Sequence, residues 1–112
     1  MKGWYLRILV VVALSLGLVS VAEASCTATS CSATISLLYL DDNEVYISLT
    51  GGFSGLTSCT LASGTYMTLL KTAPNYSAQY GLLLAAYFAG QSVTIRPVTS
   101  SSNCAVAYIT MP

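Results

Sequence analysis

Residues 85–98 read AAYFAGQSVTIRPV: the end of a helix, one glycine, and at once a strand. Upstream of Gly90, residues Tyr76, Tyr80, Leu83, Leu84, Tyr87 and Phe88 recur at the spacing of one helical face. That spacing predicts an amphipathic helix over residues 75–89, with Tyr87 and Phe88 closing its packed end. Thr72 or Asn75 can cap its start, and Pro74 suits the approach to the first turn. Gly90 fits the stop, because the left-handed conformation costs glycine least. Gly81 lies mid-helix, where it costs about 1 kcal/mol against alanine; it points to a close backbone approach to the sheet beneath. After Gly90 the period drops to two. Val93, Ile95 and Pro97 face one way, and Thr94 and Arg96 the other.

Outward from this junction, the rest of the chain reads as β-structure. Residues 25–31, SCTATSC, form a short polar arm. In residues 32–40, Ile35, Leu37 and Tyr39 alternate with Thr34, Ser36 and Leu38, which predicts a half-buried strand. DDNE, 41–44, is a turn cluster. In residues 45–50, Val45, Ile47 and Leu49 alternate with Tyr46, Ser48 and Thr50, completing a β-hairpin. GGFSG, 51–55, reads as a flexible loop. Residues 56–70 hold at least one strand, either bent by a bulge at Gly64 or split in two. TSSSN, 99–103, turns the chain into a last strand, 104–111. The order β-β-β-α-β-β predicts a β-rich α+β domain. It matches a five-stranded OB-like barrel with one helix between strands 3 and 4.

The first segment carries a targeting pattern. Lys2 and Arg7 precede an apolar run over residues 8–21, and Ala22-Glu23-Ala24 supplies an A-x-A site. This is a secretory signal peptide, with cleavage expected after Ala24. The run falls short of the ~20 residues of a membrane span, so no stable membrane insertion is expected after cleavage. Glu23 occupies the place where a lipobox ending at Cys26 wants a leucine-like residue, which argues against lipidation. The expected organisation is a leader over 1–24 and a single domain over 25–112, secreted or periplasmic. A domain so small buries only about 60–65% of its unfolded surface and often needs covalent staples. All four cysteines, Cys26, Cys31, Cys59 and Cys104, fall in that domain. In an exported chain an even count reads as a disulfide framework.

Charge and side-chain chemistry remove several function classes. Residues 25–112 keep Lys71 and Arg96 against Asp41, Asp42 and Glu44. Nucleic-acid binding needs a basic footprint, and this chain has none. With no histidine anywhere, neither a Ser-His nor a Cys-His nucleophile can be built. The absence of histidine and of any Cys-x2-Cys pair also argues against zinc, so no metal and no cofactor is expected. Asp41, Asp42 and Glu44 read as a solvated hairpin turn ahead of a carboxylate pair for glycoside hydrolysis. They lack the glycine and distal glutamate of an EF-type calcium loop. No catalytic residue is assigned. The remaining surface is Ser, Thr, Asn, Gln and Tyr, the groups that carbohydrate contacts use.

The stretch YGLLLAAYFAGQSVTIRPV, 80–98, followed by a turn and a cysteine-bearing last strand, resembles the small exported B subunits of pertussis-like AB5 toxins. The typhoid toxin and subtilase cytotoxin B subunits carry a similar sequence at the helix-to-strand junction. Here it is Tyr87-Phe88-Ala89-Gly90-Gln91-Ser92-Val93. The likeness extends to many small exported bacterial proteins. It covers about half of residues 25–112 at motif level and nearly all of them in element order. The resemblance implies an OB-fold, and with it a homo-oligomeric pentamer and a cell-surface glycan as partner. The matched residues are helix core, helix stop and strand core; the sugar-contacting positions of those subunits have no residue-by-residue match here.

Four cysteines allow three pairings. In the implied OB topology strands three and five run parallel and adjacent, and Cys59 and Cys104 sit near the start of each. The resemblance therefore favours Cys59–Cys104, with Cys26–Cys31 closing a local loop. The rival pairing ties Cys26 or Cys31 to Cys104 or Cys59 and pins the amino-terminal arm.

Three strand tyrosines, Tyr39, Tyr46 and Tyr66, are the candidate ligand contacts, since an aromatic ring suits the apolar face of a saccharide. Tyr76, Tyr80 and Tyr87 read as helix packing, with contact to a neighbouring subunit as the functional alternative. Arg96 reads as a solvated strand residue. The expected function is a non-catalytic exported binding module. The alternative is a periplasmic or secreted protein that binds another protein, as an inhibitor or accessory subunit.

Overall fold

The junction at Gly90 is built as its sequence suggests. In the computed structural model, which describes residues 24–112, helix α1 spans Tyr76–Ala89 and Gly90 follows it at φ 63°, in the left-handed region. The amide of Gly90 donates to the Tyr87 carbonyl at 3.3 Å, and that of Gln91 to the Ala86 carbonyl at 2.9 Å. This pair of bonds is a Schellman closure, which satisfies carbonyls the last helical turn would leave orphaned. The leader expected over 1–24 lies, apart from Ala24, outside the described residues.

Seven short strands accompany the helix: β1 (Ser25–Cys26), β2 (Cys31–Ala33), β3 (Ile35–Leu40), β4 (Glu44–Leu49), β5 (Met67–Leu70), β6 (Val93–Pro97) and β7 (Val106–Thr110). They form two antiparallel sheets, ordered β1-β2-β6-β7 and β3-β4-β5, with α1 between β5 and β6 in the chain. The domain is thus small, β-rich and α+β. The strand expected over residues 32–40 is divided at Thr34. Before it, β2 pairs with β6; after it, β3 pairs with β4. The Thr50 amide donates to the Thr34 carbonyl at 2.9 Å, and the two hydroxyls are hydrogen-bonded at 2.9 Å. One parallel bridge, Thr68 to Ala105, joins β5 to the approach of β7. Among the described residues the ladders do not otherwise close the two sheets on each other.

The core lies between the sheets and α1. β4 contributes Val45, Ile47 and Leu49, β5 Met67 and Leu69, the helix Leu83 and Ala86, and β6 Val93 and Ile95; all are buried. Each large aliphatic side chain so buried stabilises by roughly 1.5–3 kcal/mol. Thr68 is the buried polar side chain among them, and its hydroxyl donates to the Asn103 carbonyl at 2.8 Å. That bond satisfies a hydroxyl that would otherwise be costly to bury. The Cys59–Cys104 disulfide lies beside it, with Cα atoms 5.1 Å apart, and Cys26–Cys31 ties β1 to β2 with Cα atoms 4.0 Å apart.

Three details differ from the expectations above, and one open alternative is settled. Leu37 and Tyr39 do not share a face with Ile35. The β3–β4 register shifts between Ile35 and Leu37, and a one-residue slip exchanges the faces of every following residue. Leu38 therefore packs on the core, while Leu37 and Tyr39 are exposed. Phe88 does not close a packed helix end: it is 82% exposed. It stands five residues after Leu83, about 140° around a 3.6-residue turn. Tyr87 is also exposed, at the helix end. Gly81 approaches nothing; a Cβ built there meets no heavy atom within 4 Å. Of the two alternatives for residues 56–70, the split at Gly64 holds and the bulge does not. Ser63 (φ 51°) and Gly64 (φ 71°) turn a tight hairpin bridged from Ala62 to Tyr66. Two consecutive positive φ angles are what such mirror-image turns require.

Candidate functional site

The register slip in β3 creates the site. By turning Tyr39 outward it sets this ring directly opposite Tyr46 across the β3–β4 ladder. The two ring centroids are 5.4 Å apart and tilted by 40°. Tyr66, delivered by the tight hairpin at Ser63-Gly64, packs edge-on against Tyr46 with centroids 5.7 Å apart. Three tyrosines distant in sequence thus make one aromatic surface on the outer face of β3-β4-β5. Tyr39 is the most open, at 56% exposure; Tyr46 and Tyr66 are half-buried.

The turn after β3 fixes the edge of this surface. Asp41 accepts hydrogen bonds from the amides of Asn43 and Glu44, each at 2.8 Å. These two bonds, with the nearby Tyr46 hydroxyl and the Lys71 charge, hold its carboxyl below the ordinary value of 3.8. Tyr46 moves the other way. Burial first, then its hydrogen bond to Asp41 and the charges of Glu44 and Asp41, push its hydroxyl above 10.0. It is a neutral phenol at physiological pH. The Lys71 ammonium donates to the Asp41 carbonyl, which closes the turn from the β5 side.

Along β4 the surface runs into a groove of about 430 Å3. Phe53 and Leu61 supply its apolar lining, and Ser48, Ser54 and Thr65 its hydroxyls. The loop composition of residues 51–55 alone does not point to this groove. Phe53 is buried, and Gly55 (φ 98°) sits so close to the amino-terminal arm that a Cβ would lie 3.2 Å from the Cys26 carbonyl oxygen. An aromatic residue flanked by glycines was the available signal: an anchor in a tight turn.

Of the candidate residues, the structure brings Tyr39, Tyr46 and Tyr66 together. The four cysteines lie elsewhere, as two disulfides. Tyr76 and Tyr80 stack on each other along α1, centroids 5.7 Å apart, and pack partly on the core. Arg96 is exposed on the other sheet, opposite Tyr108. Among the described residues no group of three or more His, Cys, Asp or Glu is placed to hold a metal ion. Nor is any helix there long and apolar enough to cross a membrane. No family model, curated protein or solved structure matches this chain.

Proposed function

We propose that this chain is a non-catalytic, exported binding module that takes a glycan on its tyrosine face. The observation that carries the reading is the convergence of Tyr39, Tyr46 and Tyr66 on one accessible surface. Aromatic rings left at a surface stack on the C–H face of a sugar while their hydroxyls reach its polar groups. The leader pattern and the two disulfides support export, because disulfides persist in oxidising compartments.

The finer fold is part of the same proposal. Taken together, β2 and β3 act as one strand bent at Thr34, and the Thr68–Ala105 bridge is the seam of a five-stranded OB-like barrel. The paired β2–β6 and β3–β4 ladders on either side of Thr34 support it. With the sequence resemblance to pertussis-like B subunits, this favours a glycan reader that assembles with copies of itself.

A second reading, binding of another protein, is favoured by one feature. Phe88 stands almost fully in solvent at the end of α1, its ring 5.8 Å from that of Tyr87.

A glycan array together with size-exclusion chromatography and light scattering tests both. Sugar binding by a ring of five supports the B-subunit-like reading. A monomer that is silent on a broad array contradicts it and favours the protein-binding alternative.

A further inference from the structure

We infer that the groove beside the tyrosines is a second subsite continuous with the first, and that the ligand is an uncharged oligosaccharide long enough to span both. The inference rests on the reading of the tyrosine face as a glycan site.

Continuity follows from the strand. Ser48 lies two residues beyond Tyr46 on the same face of β4, about 7 Å along the chain. Thr65 immediately precedes Tyr66, and the Ser48 hydroxyl donates to the Thr65 carbonyl at 3.5 Å. Both residues line the groove. The wall of the groove is therefore the flank of the aromatic surface, with no element between them. Its volume of about 430 Å3 falls in the range of small-molecule sites. An apolar lining of Phe53 and Leu61 with hydroxyls from Ser48, Ser54 and Thr65 suits a pyranose ring, which presents C–H groups on one side and hydroxyls at its rim. A single sugar cannot cover both the Tyr39 ring and this groove; two to three units can.

Charge selects among oligosaccharides. No charged side chain lines the groove. The charges near the tyrosines are mainly acidic: Asp41 and Glu44 both act on Tyr46. The nearby cation, Lys71, is engaged with the Asp41 carbonyl. Two carboxylates against one ammonium leave this edge net negative, so an acidic sugar meets like charge there, which costs affinity.

Amide-resolved NMR titration of residues 25–112 tests this directly. The probes are maltotriose, cellotriose and chitotriose with their monosaccharides, and lactose against 3′-sialyllactose. A neutral trisaccharide is expected to shift Tyr39, Tyr46 and Tyr66 and also Gly52, Phe53 and Gly64. Its monosaccharide should bind at least about ten-fold more weakly, a difference of about 1.4 kcal/mol. Lactose should bind at least as well as 3′-sialyllactose. Shifts confined to the tyrosines, or tighter binding of 3′-sialyllactose, would overturn this inference and leave the tyrosine face as a sugar site. If no sugar moves the tyrosines, the glycan reading itself fails and this inference with it.

Discussion

The rings of Tyr39 and Tyr46 face each other across the β3–β4 pair, 5.4 Å apart, because a register slip three residues earlier turned Tyr39 to the outside. Tyr46 also carries Tyr66, whereas Tyr39 touches only Tyr46 among the aromatic rings described. The two tyrosines should therefore differ in structural weight. Aromatic pairs contribute about 0.5–1.5 kcal/mol beyond area burial. Tyr46→Ala should cost about 1–3 kcal/mol and Tyr39→Ala under about 1 kcal/mol, read by urea denaturation. The reverse order would contradict a cluster centred on Tyr46.

Acid should find the Asp41 turn. Its folded pKa lies below the ordinary 3.8, because the Asn43 and Glu44 amides donate to the carboxylate. A depressed carboxyl contributes stability that is fully present above the unfolded pKa and lost as pH falls through the folded one. Wild type should thus lose stability below about pH 4 more steeply than Asp41→Asn, which keeps the acceptor oxygen and has nothing to protonate. Parallel stability-against-pH curves for the two would refute the turn's role.

The two disulfides should be unequal. Cys59 and Cys104 are 45 residues apart, and Cys26 and Cys31 only 5. Chain-entropy reasoning gives about 4 kcal/mol for the first loop and about 2 kcal/mol for the second. Replacing Cys59 and Cys104 together by serine should lower the thermal midpoint more than replacing Cys26 and Cys31. A larger loss from the local pair would contradict this.

Two glycines of one helix should respond in opposite ways. Gly81 faces open space, so Gly81→Ala should stabilise by up to about 1 kcal/mol. Gly90 has φ 63°, and alanine there should cost about 1–2 kcal/mol. Thermal melts of the two variants settle it.

Much of this architecture is legible in the chain because it depends on local chemistry. The helix over Tyr76–Ala89, its stop at Gly90 and the alternation of Val45, Ile47 and Leu49 follow from period and backbone preference. What escapes a sequence reading depends on events across strands. The slip between Ile35 and Leu37 arises in the pairing of β3 with β4, and residues 32–40 alone carry no mark of it. With the slip unseen, Tyr39 falls on the wrong face. The groove escapes for a related reason: Phe53 sits in a loop by composition, and only the fold brings it to one groove with Ser48 and Leu61. Phe88 shows the converse. Six apolar residues at helical spacing make a wide stripe; the core covers Leu83 fully and Tyr76 and Tyr80 in part, and leaves Tyr87 and Phe88 exposed.

We propose binding of a neutral glycan at the tyrosine face. Its most direct test is titration calorimetry of one neutral trisaccharide, the best of maltotriose, cellotriose and chitotriose, into wild type, Tyr39→Ala and Phe88→Ala. Tyr39 is the exposed ring whose loss should least disturb the fold, and anchor truncations of this kind cost about 1–2 kcal/mol or more in binding. Tyr39→Ala should weaken binding about ten-fold or more while losing under about 1 kcal/mol of stability, and Phe88→Ala should bind as wild type does. Unchanged affinity in Tyr39→Ala, or a loss in Phe88→Ala instead, would contradict the account.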